Sequence, residues 1–285
     1  MIDMAIIGSG PAGWSCAITA RMRGLSVMVV APAGASGWLE KTERIDNYPG
    51  MPQVSGRMLL DSFAQQAVDM GVERREGLAR QIMPNGEKNF MLLVENDVVE
   101  CKSVVLAMGA ARPKMLPGEE ELVGQGVSYC ATCDGMFYRG KRVAALSASL
   151  QGFEEARFLA SVAAQVDYYP LKKHQPEGMP EVMSFVAERP AALRKEGEEL
   201  ALQTEKGERR YDGVFIFREA MPLSLLLADL QTRDGFIQVD RAMSTNVPGV
   251  FAAGDCTGKP LQIAKAVGEG NIAAISAAEY IGANG

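Results

Sequence analysis

Two cysteines spaced C-x-x-C form the most reactive pattern in the sequence. Cys130 and Cys133 lie in "GVSYCATCDG", and Asp134 follows them directly. Thiols at this spacing can close a small disulfide and reopen it by thiol–disulfide exchange. The adjacent carboxyl group could protonate a departing thiolate. Half of a zinc site is the alternative, but the other cysteines are isolated and there is a single histidine, so no metal site is predicted.

A glycine-rich turn near the start of the chain is typical of a nucleotide-binding site. "GSGPAG" at residues 8–13 follows an apolar strand and precedes a segment with helical spacing, the context that G-x-G-x-x-G requires. Gly8 allows a tight turn, Gly10 lets the backbone approach a pyrophosphate, and Gly13 lets the helix pack closely on the strand. The helix start then offers N–H groups to the anion. The carboxylate expected about 20 residues later is missing.

A second strand-to-helix turn lacks its glycines. In "VAALSASLQGFEEA" (143–156), Ser147 and Ser149 stand where such a unit normally has glycine. A Cβ at either position occupies the space through which the backbone approaches a pyrophosphate, and it disfavours positive φ. We therefore expect this unit to keep the fold of a nucleotide-binding domain without its ordinary ligand.

The order of the elements places the two turns in separate units. Residues 2–30 have a strand–helix–strand pattern, and residues 101–110 form a buried strand that runs into a linker with proline and glycine at 111–120. After the second unit, "VFAAGDC" (250–256) returns to a strand. The predicted fold class is α/β, with two Rossmann-like, three-layer ββα nucleotide-binding domains, the second inserted in the first. The predicted boundaries are 1–114 with 243–285 for the discontinuous first domain and 115–242 for the inserted one.

Composition excludes several classes of protein. The 285 residues are 47% apolar and 22% charged, as in an ordinary globular protein. The net charge of -6 argues against nucleic-acid binding as the main function. The N-terminus lacks the pattern of a secretory signal, and no apolar run is long enough to span a bilayer. We therefore expect a cytoplasmic protein without a membrane or nucleic-acid partner.

Four motifs together resemble the thioredoxin reductase family of flavoproteins. They are "GSGPAG", "RIDNYPG" (44–50), "GVSYCATCDG" (126–135) and "VFAAGDC" (250–256), and their order and spacing match over nearly the whole chain. The resemblance implies a homodimer in which an FAD domain is split around an inserted domain that carries a redox disulfide. It also implies that the protein substrate is thioredoxin, with Cys130 as the exposed attacking thiol and Cys133 taking electrons from the flavin.

The FAD site implied by the resemblance is assembled within the first domain. The turn at residues 8–13 would hold the pyrophosphate, and Asp255 would meet the ribitol or phosphate region. Gln262 and Ile263 would lie along the flavin ring, while Trp38 would either cover the ring or pack at a domain contact. The residues expected to bind FAD are Gly8, Ser9, Gly10, Pro11, Ala12, Gly13, Gly37, Trp38, Leu39, Asn47, Gly109, Gly254, Asp255, Gln262 and Ile263.

Departures from the family pattern concern the pyridine nucleotide. Besides the two serines, "VDYYPLKKH" replaces a basic cluster for the 2′-phosphate, and "REAMPL" puts Glu219 at a glycine position. Lys172 and Lys173 could still attract a phosphate. Because the cysteines and the FAD motifs are intact, the pattern favours an enzyme fed by reduced, acidic ferredoxin, as in flavin thioredoxin reductases with a degenerate nucleotide motif. The alternatives are NAD(P)H use through an altered site and a non-enzymatic flavoprotein redox sensor.

Overall fold

The computed structural model describes residues 1–32, 39–86, 88–109, 115–174, 176–218 and 223–284. The chain divides into two units, one made of Met1–Arg112 with Ala220–Gly285 and the other of Pro113–Glu219. No helix in the described part of the chain is long and apolar enough to cross a membrane.

The helices and strands are numbered in chain order. Those before the inserted unit are β1 (Ile2–Ile7), α1 (Pro11–Met22), β2 (Val27–Ala31), α2 (Gly56–Asp69), β3 (Glu73–Glu76), β4 (Ala79–Asn85), β5 (Asn89–Val94) and β6 (Asp97–Leu106). Those of the inserted unit are β7 (Val127–Ser128), α3 (Ala131–Asp134), β8 (Arg142–Ser147), α4 (Leu150–Val162), β9 (Gln165–Pro170), β10 (Met183–Phe185), β11 (Pro190–Glu196), β12 (Glu199–Thr204), β13 (Gly207–Tyr211) and β14 (Gly213–Phe217). Those after it are α5 (Leu223–Leu226), β15 (Thr232–Arg233), β16 (Phe236–Ile237), β17 (Val250–Ala252) and α6 (Ile263–Asn284).

A mostly parallel sheet organises the first unit. Its strands run in the order β3-β2-β1-β6, all parallel, and the far edge of β6 pairs first with antiparallel β5 and then with parallel β17. All five residues of β2 are buried, which is typical of a parallel strand covered on both faces. Helices α1 and α6 cover one face, where a Cβ added to Gly270 would lie 2.2 Å from the carbonyl oxygen of Ala12. Glycine at this position therefore allows the two helices to touch.

The segment that follows the inserted unit belongs to the first unit from residue 220 onward. Leu226, Leu227 and Ile237 are buried in the same apolar cluster as Ile82 and Leu92 of the β4–β5 hairpin. The boundaries predicted from the sequence placed residues up to 242 in the inserted domain. The difference arises because α5, β15 and β16 are too short to show a periodic pattern, while their apolar side chains fill the core of the first unit.

The inserted unit has three layers. Its parallel sheet has the order β10-β9-β8-β14-β7, and β11, β12 and β13 form a separate antiparallel sheet. Alternate side chains of β9 point to opposite faces. Tyr168 packs with Phe153 of α4 on one face, and Tyr169 shares a hydrogen bond of 2.6 Å with Tyr211 of β13 on the other. A helix thus covers one side of the parallel sheet and the antiparallel sheet covers the other, and the predicted α/β fold class is confirmed.

Candidate functional site

Three glycines mark the carboxyl edge of the parallel sheet in the first unit. Gly8, Gly109 and Gly254 follow β1, β6 and β17 and have φ angles of +117°, +73° and +86°. Since parallel strands end at a common edge, these turns border one crevice, where open α/β sheets bind ligands. A Cβ at Gly8 would lie 2.2 Å from the carbonyl oxygen of Ala107, and one at Gly254 would lie 2.8 Å from the Cβ of Ala12. Side chains are therefore excluded at Gly8 and Gly254, whereas a Cβ at Gly109 would meet no protein atom within 4 Å.

The start of α1 is open. Gly10 occupies the N-cap with φ −84° and ψ −176°, no side chain caps the helix, and Pro11 takes its first turn. A Cβ built on Gly10 would meet no protein atom within 4 Å, whereas one on Gly13 would lie 2.0 Å from the carbonyl oxygen of Gly8. Ser9 is half-buried in the same turn. The turn thus combines uncapped backbone N–H groups with free space, which fits the pyrophosphate of a dinucleotide cofactor.

Asp255 lies in a short 3-10 turn directly after β17. Burial raises the pKa of its carboxyl group, the Lys265 ammonium acts in the opposite direction, and Glu269 raises the pKa further. Lys265 and Glu269 lie on the first turns of α6 and form an ion pair at 3.1 Å. Neither residue was predicted to belong to the site, although their i,i+4 spacing on a helix is a signal that the sequence contains.

Two predicted residues that are 215 positions apart meet in the structure. The side-chain amide of Asn47 donates a hydrogen bond of 3.0 Å to Oε1 of Gln262. Ile263 and Leu39 both pack against the small apolar cluster built around Leu59 of α2. The structure thus brings four predicted residues to the start of α6. The predicted residues Gly37 and Trp38 lie outside the described residues.

The predicted redox pair is a disulfide in the inserted unit. Cys130 and Cys133 are joined and their Cα atoms are 5.3 Å apart. Cys130 is the N-cap of α3, and its Sγ accepts a hydrogen bond of 3.1 Å from the backbone N–H of Cys133. Cys133 is exposed and Cys130 is half-buried. In the disulfide form, Cys133 is therefore the more exposed of the two cysteines, whereas the resemblance implies that Cys130 is the exposed attacking thiol.

A buried serine fixes the carboxyl group beside the disulfide. The hydroxyl of Ser128 donates a hydrogen bond of 2.7 Å to Oδ2 of Asp134 and accepts one of 3.1 Å from the backbone N–H of Cys130. Asp134 also lines a cavity of about 150 Å³ with Phe137 and Tyr138. Burial, followed by the Asp134 charge, raises the pKa of Tyr138. Ser128 thus links the candidate proton donor to the redox cysteine, a connection that motif reasoning did not identify.

The turn after β8 is closed by its own side chains. Ser147 is fully buried, and its hydroxyl donates a hydrogen bond of 2.8 Å to the carbonyl oxygen of Ser149. Ser149 is the N-cap of α4, and its Oγ accepts a hydrogen bond of 3.2 Å from the backbone N–H of Gly152. A Cβ at Gly152 would lie 2.3 Å from the hydroxyl oxygen of Ser147. The serines thus take the space and one of the N–H groups that a phosphate uses at the start of such a helix.

The polar segment after β9 is only partly exposed. His174 is half-buried, and its Nε2 shares a hydrogen bond of 2.6 Å with the hydroxyl of Tyr168. Lys172 and Lys173 are exposed. Glu219, predicted to obstruct a nucleotide, lies outside the described residues.

Comparison with known proteins gives consistent similarities over almost the full chain. The family model for pyridine nucleotide-disulphide oxidoreductases matches residues 2–270. A thioredoxin reductase from Bacillus subtilis is 31% identical over 98% of this chain and 94% of its own. The crystal structure of a ferredoxin-flavin thioredoxin reductase from Clostridium acetobutylicum matches with a TM-score of 0.86 and 37% identity, covering 99% of this chain and 98% of that one. A thioredoxin reductase from Gloeobacter violaceus matches with a TM-score of 0.78 and 30% identity, covering 99% and 94%.

Proposed function

Because the chain belongs to the pyridine nucleotide-disulphide oxidoreductase family, as a flavoprotein of the thioredoxin reductase type with FAD as its cofactor, we propose that it reduces thioredoxin with electrons from reduced ferredoxin. In this proposal the enzyme works as a homodimer and does not use NADPH. Similarity to the ferredoxin-flavin enzyme of Clostridium acetobutylicum supports the choice of donor.

The contrast between the two helix starts carries the proposal. Helix α1 begins at an uncapped glycine with free space around it, whereas α4 begins at a serine that already satisfies the N–H of Gly152. A phosphate binding at α4 would have to displace the Ser149 hydroxyl, and an N-cap of this kind is worth about 1 kcal/mol. It would also have to pass the buried hydroxyl of Ser147, which leaves no room at Gly152. The turn at residues 8–13 therefore has room for the FAD pyrophosphate. At the corresponding turn of the inserted unit, the side chains of Ser147 and Ser149 take the place of the NADPH pyrophosphate.

The energetics allow a ferredoxin donor. The reduction potential of a plant-type ferredoxin is about −400 mV and that of thioredoxin about −270 mV. The difference of about 130 mV corresponds to roughly 6 kcal/mol for two electrons. In the balanced reaction, two reduced ferredoxins and two protons convert one thioredoxin disulfide into a dithiol. FAD, when bound, supplies the ability to accept electrons singly and to deliver them as a pair.

Cys130, Cys133 and Asp134 of the inserted unit have separate roles in the disulfide chemistry. Two electrons and two protons open the Cys130–Cys133 disulfide to a dithiol. We assign attack on thioredoxin to Cys130, because the hydrogen bond from the Cys133 N–H to its Sγ stabilises a thiolate there. The attack forms a mixed disulfide between Cys130 and thioredoxin and releases one thioredoxin thiolate. Cys133 then attacks Cys130, which reforms the Cys130–Cys133 disulfide and releases the second thioredoxin thiolate. Asp134, held by Ser128, passes the protons given up by the two cysteine thiols to the departing thiolates.

Turnover with competing donors tests the proposal. Purified enzyme and thioredoxin are incubated without oxygen, with either photoreduced ferredoxin or NADPH, and the thioredoxin thiols formed are counted. The expected result is turnover with ferredoxin and none above background with NADPH. Turnover with NADPH would favour the altered-site alternative. Absence of turnover with ferredoxin and with other low-potential donors would favour a redox sensor.

A further inference from the structure

The loop after β17 is fastened to α6 by one lysine. We call residues 254–258 the Asp255 loop. The Lys265 ammonium donates hydrogen bonds to the carbonyl oxygens of Gly254 and Gly258, both at 2.8 Å, and to the hydroxyl of Thr257 at 3.0 Å. An ammonium group has three hydrogens, so its donor capacity is used on this loop. Lys265 thereby connects the first and last residues of the loop to the helix.

Glu269 completes the same set of contacts from the next turn of α6. Its Oε2 accepts hydrogen bonds of 2.9 Å from the backbone N–H of Gly254 and from the Thr257 hydroxyl, and it lies 3.1 Å from the Lys265 ammonium. The side chains of Lys265 and Glu269 are 17% and 18% exposed. The pair is therefore shielded from water more than an ordinary surface ion pair, and its geometry is more strongly determined.

The Asp255 loop has little intrinsic order of its own. Gly254 and Gly258 have φ angles of +86° and +126°, a region that glycine enters freely but at a high cost in conformational entropy on folding. Between them lies a 3-10 turn of three residues, Asp255–Thr257. A loop of this kind needs contacts from outside to hold one conformation. The contacts with Lys265 and Glu269 supply them at both ends.

Charge adds a second reason for the lysine. The loop and α6 bring together the carboxyl groups of Asp255 and Glu269 at the edge that is to receive FAD, whose pyrophosphate is itself an anion. The Lys265 ammonium lies in contact with Glu269 and acts on Asp255. Without this cation, the two carboxylates would face an anionic ligand without the positive charge of Lys265 to offset them.

We propose that Lys265 is a positioning residue for FAD, because it clamps both ends of the Asp255 loop to α6 and so forms part of the cofactor site before the cofactor binds. Its role is exerted through the loop and through the charge balance. The consequence is that loss of the ammonium group should weaken FAD binding more than it weakens the fold.

The test uses the full-length apoprotein and FAD as the probe. Lys265→Met is compared with Lys102→Met, which removes a lysine of the same unit from the middle of β6. Lys102 forms an ion pair of 2.7 Å with Asp3, near the amino end of β1. FAD binding is followed by quenching of flavin fluorescence, and amide hydrogen exchange is measured at residues 254–258 without FAD. We expect Lys265→Met to raise the Kd for FAD at least about 30-fold, as loss of several charge-assisted hydrogen bonds implies, and to speed exchange in the loop. Lys102→Met should change both by less than about twofold, because this half-buried ion pair lies near the amino end of β1, away from the carboxyl edge where the Asp255 loop lies.

A milder variant keeps the test decisive if Lys265→Met folds poorly. Thr257→Val is isosteric and removes the hydroxyl that contacts both Lys265 and Glu269. We expect it to raise the Kd for FAD about fivefold, as the loss of one hydrogen bond implies. The proposal is overturned if Lys265→Met binds FAD within twofold of the wild type, or, where Lys265→Met does not fold, if Thr257→Val does so. It is also overturned if Lys102→Met loses as much affinity as Lys265→Met.

Discussion

The starts of α4 and α1 should respond in opposite ways when the serine N-cap of α4 is removed and a serine N-cap is introduced at α1. In α4, Ser149→Ala removes the hydroxyl that accepts a hydrogen bond from the Gly152 N–H at 3.2 Å. Loss of a serine N-cap costs about 1 kcal/mol, which corresponds to roughly fivefold faster native-state exchange of the Gly152 amide. Ser149→Gly should cost only a few tenths of a kcal/mol, because glycine is an acceptable N-cap.

The reciprocal change is Gly10→Ser at the start of α1. The backbone of Gly10, with φ −84° and ψ −176°, admits any residue, and its Cβ would meet no protein atom within 4 Å. The apoprotein should therefore fold normally and gain a cap worth up to about 1 kcal/mol. The new hydroxyl would occupy the N–H groups and the space that the FAD pyrophosphate needs, and the loss of charge-assisted hydrogen bonds implies an affinity about 30-fold lower.

Two measurements check this pair of substitutions. Thermal unfolding of the apoprotein and fluorescence titration with FAD are carried out on Gly10→Ser, and hydrogen exchange is measured on Ser149→Ala. If Gly10→Ser binds FAD as tightly as the wild type, or if Ser149→Ala leaves exchange at Gly152 unchanged, the argument from the two helix starts is refuted.

Three further predictions concern the redox and cofactor residues. Cys130→Ser should abolish thioredoxin turnover but leave reduction of the flavin by ferredoxin intact, as read by anaerobic absorbance; loss of flavin reduction would contradict the assigned order. Ser128→Ala leaves Asp134 without its 2.7 Å hydrogen bond and should lower thioredoxin turnover about tenfold, as for a misplaced general acid, while Ser128→Thr restores it; equal rates for all three would refute the positioning role. Burial raises the pKa of Asp255 above 3.8, so its charged form destabilises the folded apoprotein, and Asp255→Asn should unfold at higher denaturant than wild type at pH 7. That advantage should vanish as the pH falls below 3.8, where the wild-type carboxyl is protonated in both states, and an advantage that persists there would contradict the assignment.

The sequence predicted those parts of the fold whose causes are local. The glycine turn at residues 8–13, the strand that precedes it and the C-x-x-C pair each depend on residue type at fixed spacing. The α/β class followed from these local signals and from the resemblance. Asn47 and Gln262 are 215 positions apart, and no local pattern connects them. Their proximity was expected only because the resemblance assigned both residues to the flavin pocket.

The features that the sequence did not predict depend on tertiary contacts. Lys265 acquires its role from three acceptors in a loop that precedes its helix, and Ser128 from a carboxylate that meets it across a turn. His174 lies in a polar segment, yet the hydroxyl of Tyr168 holds it half-buried. Residues 223–242 join the first unit through a few leucines and one isoleucine. In each case the outcome depends on which groups the folded chain brings together, and neither composition nor local spacing records those contacts.

Anaerobic titration of the oxidised holoenzyme tests the choice of donor most directly. Flavin absorbance is followed while reduced ferredoxin, NADPH or NADH is added without thioredoxin. The serine-closed turn at α4 predicts stepwise bleaching by ferredoxin, because each molecule brings one electron, and an unchanged flavin spectrum with either nicotinamide. Rapid bleaching by NADPH would show that the turn at Ser147 and Ser149 does not exclude the nucleotide, and it would contradict the proposed function.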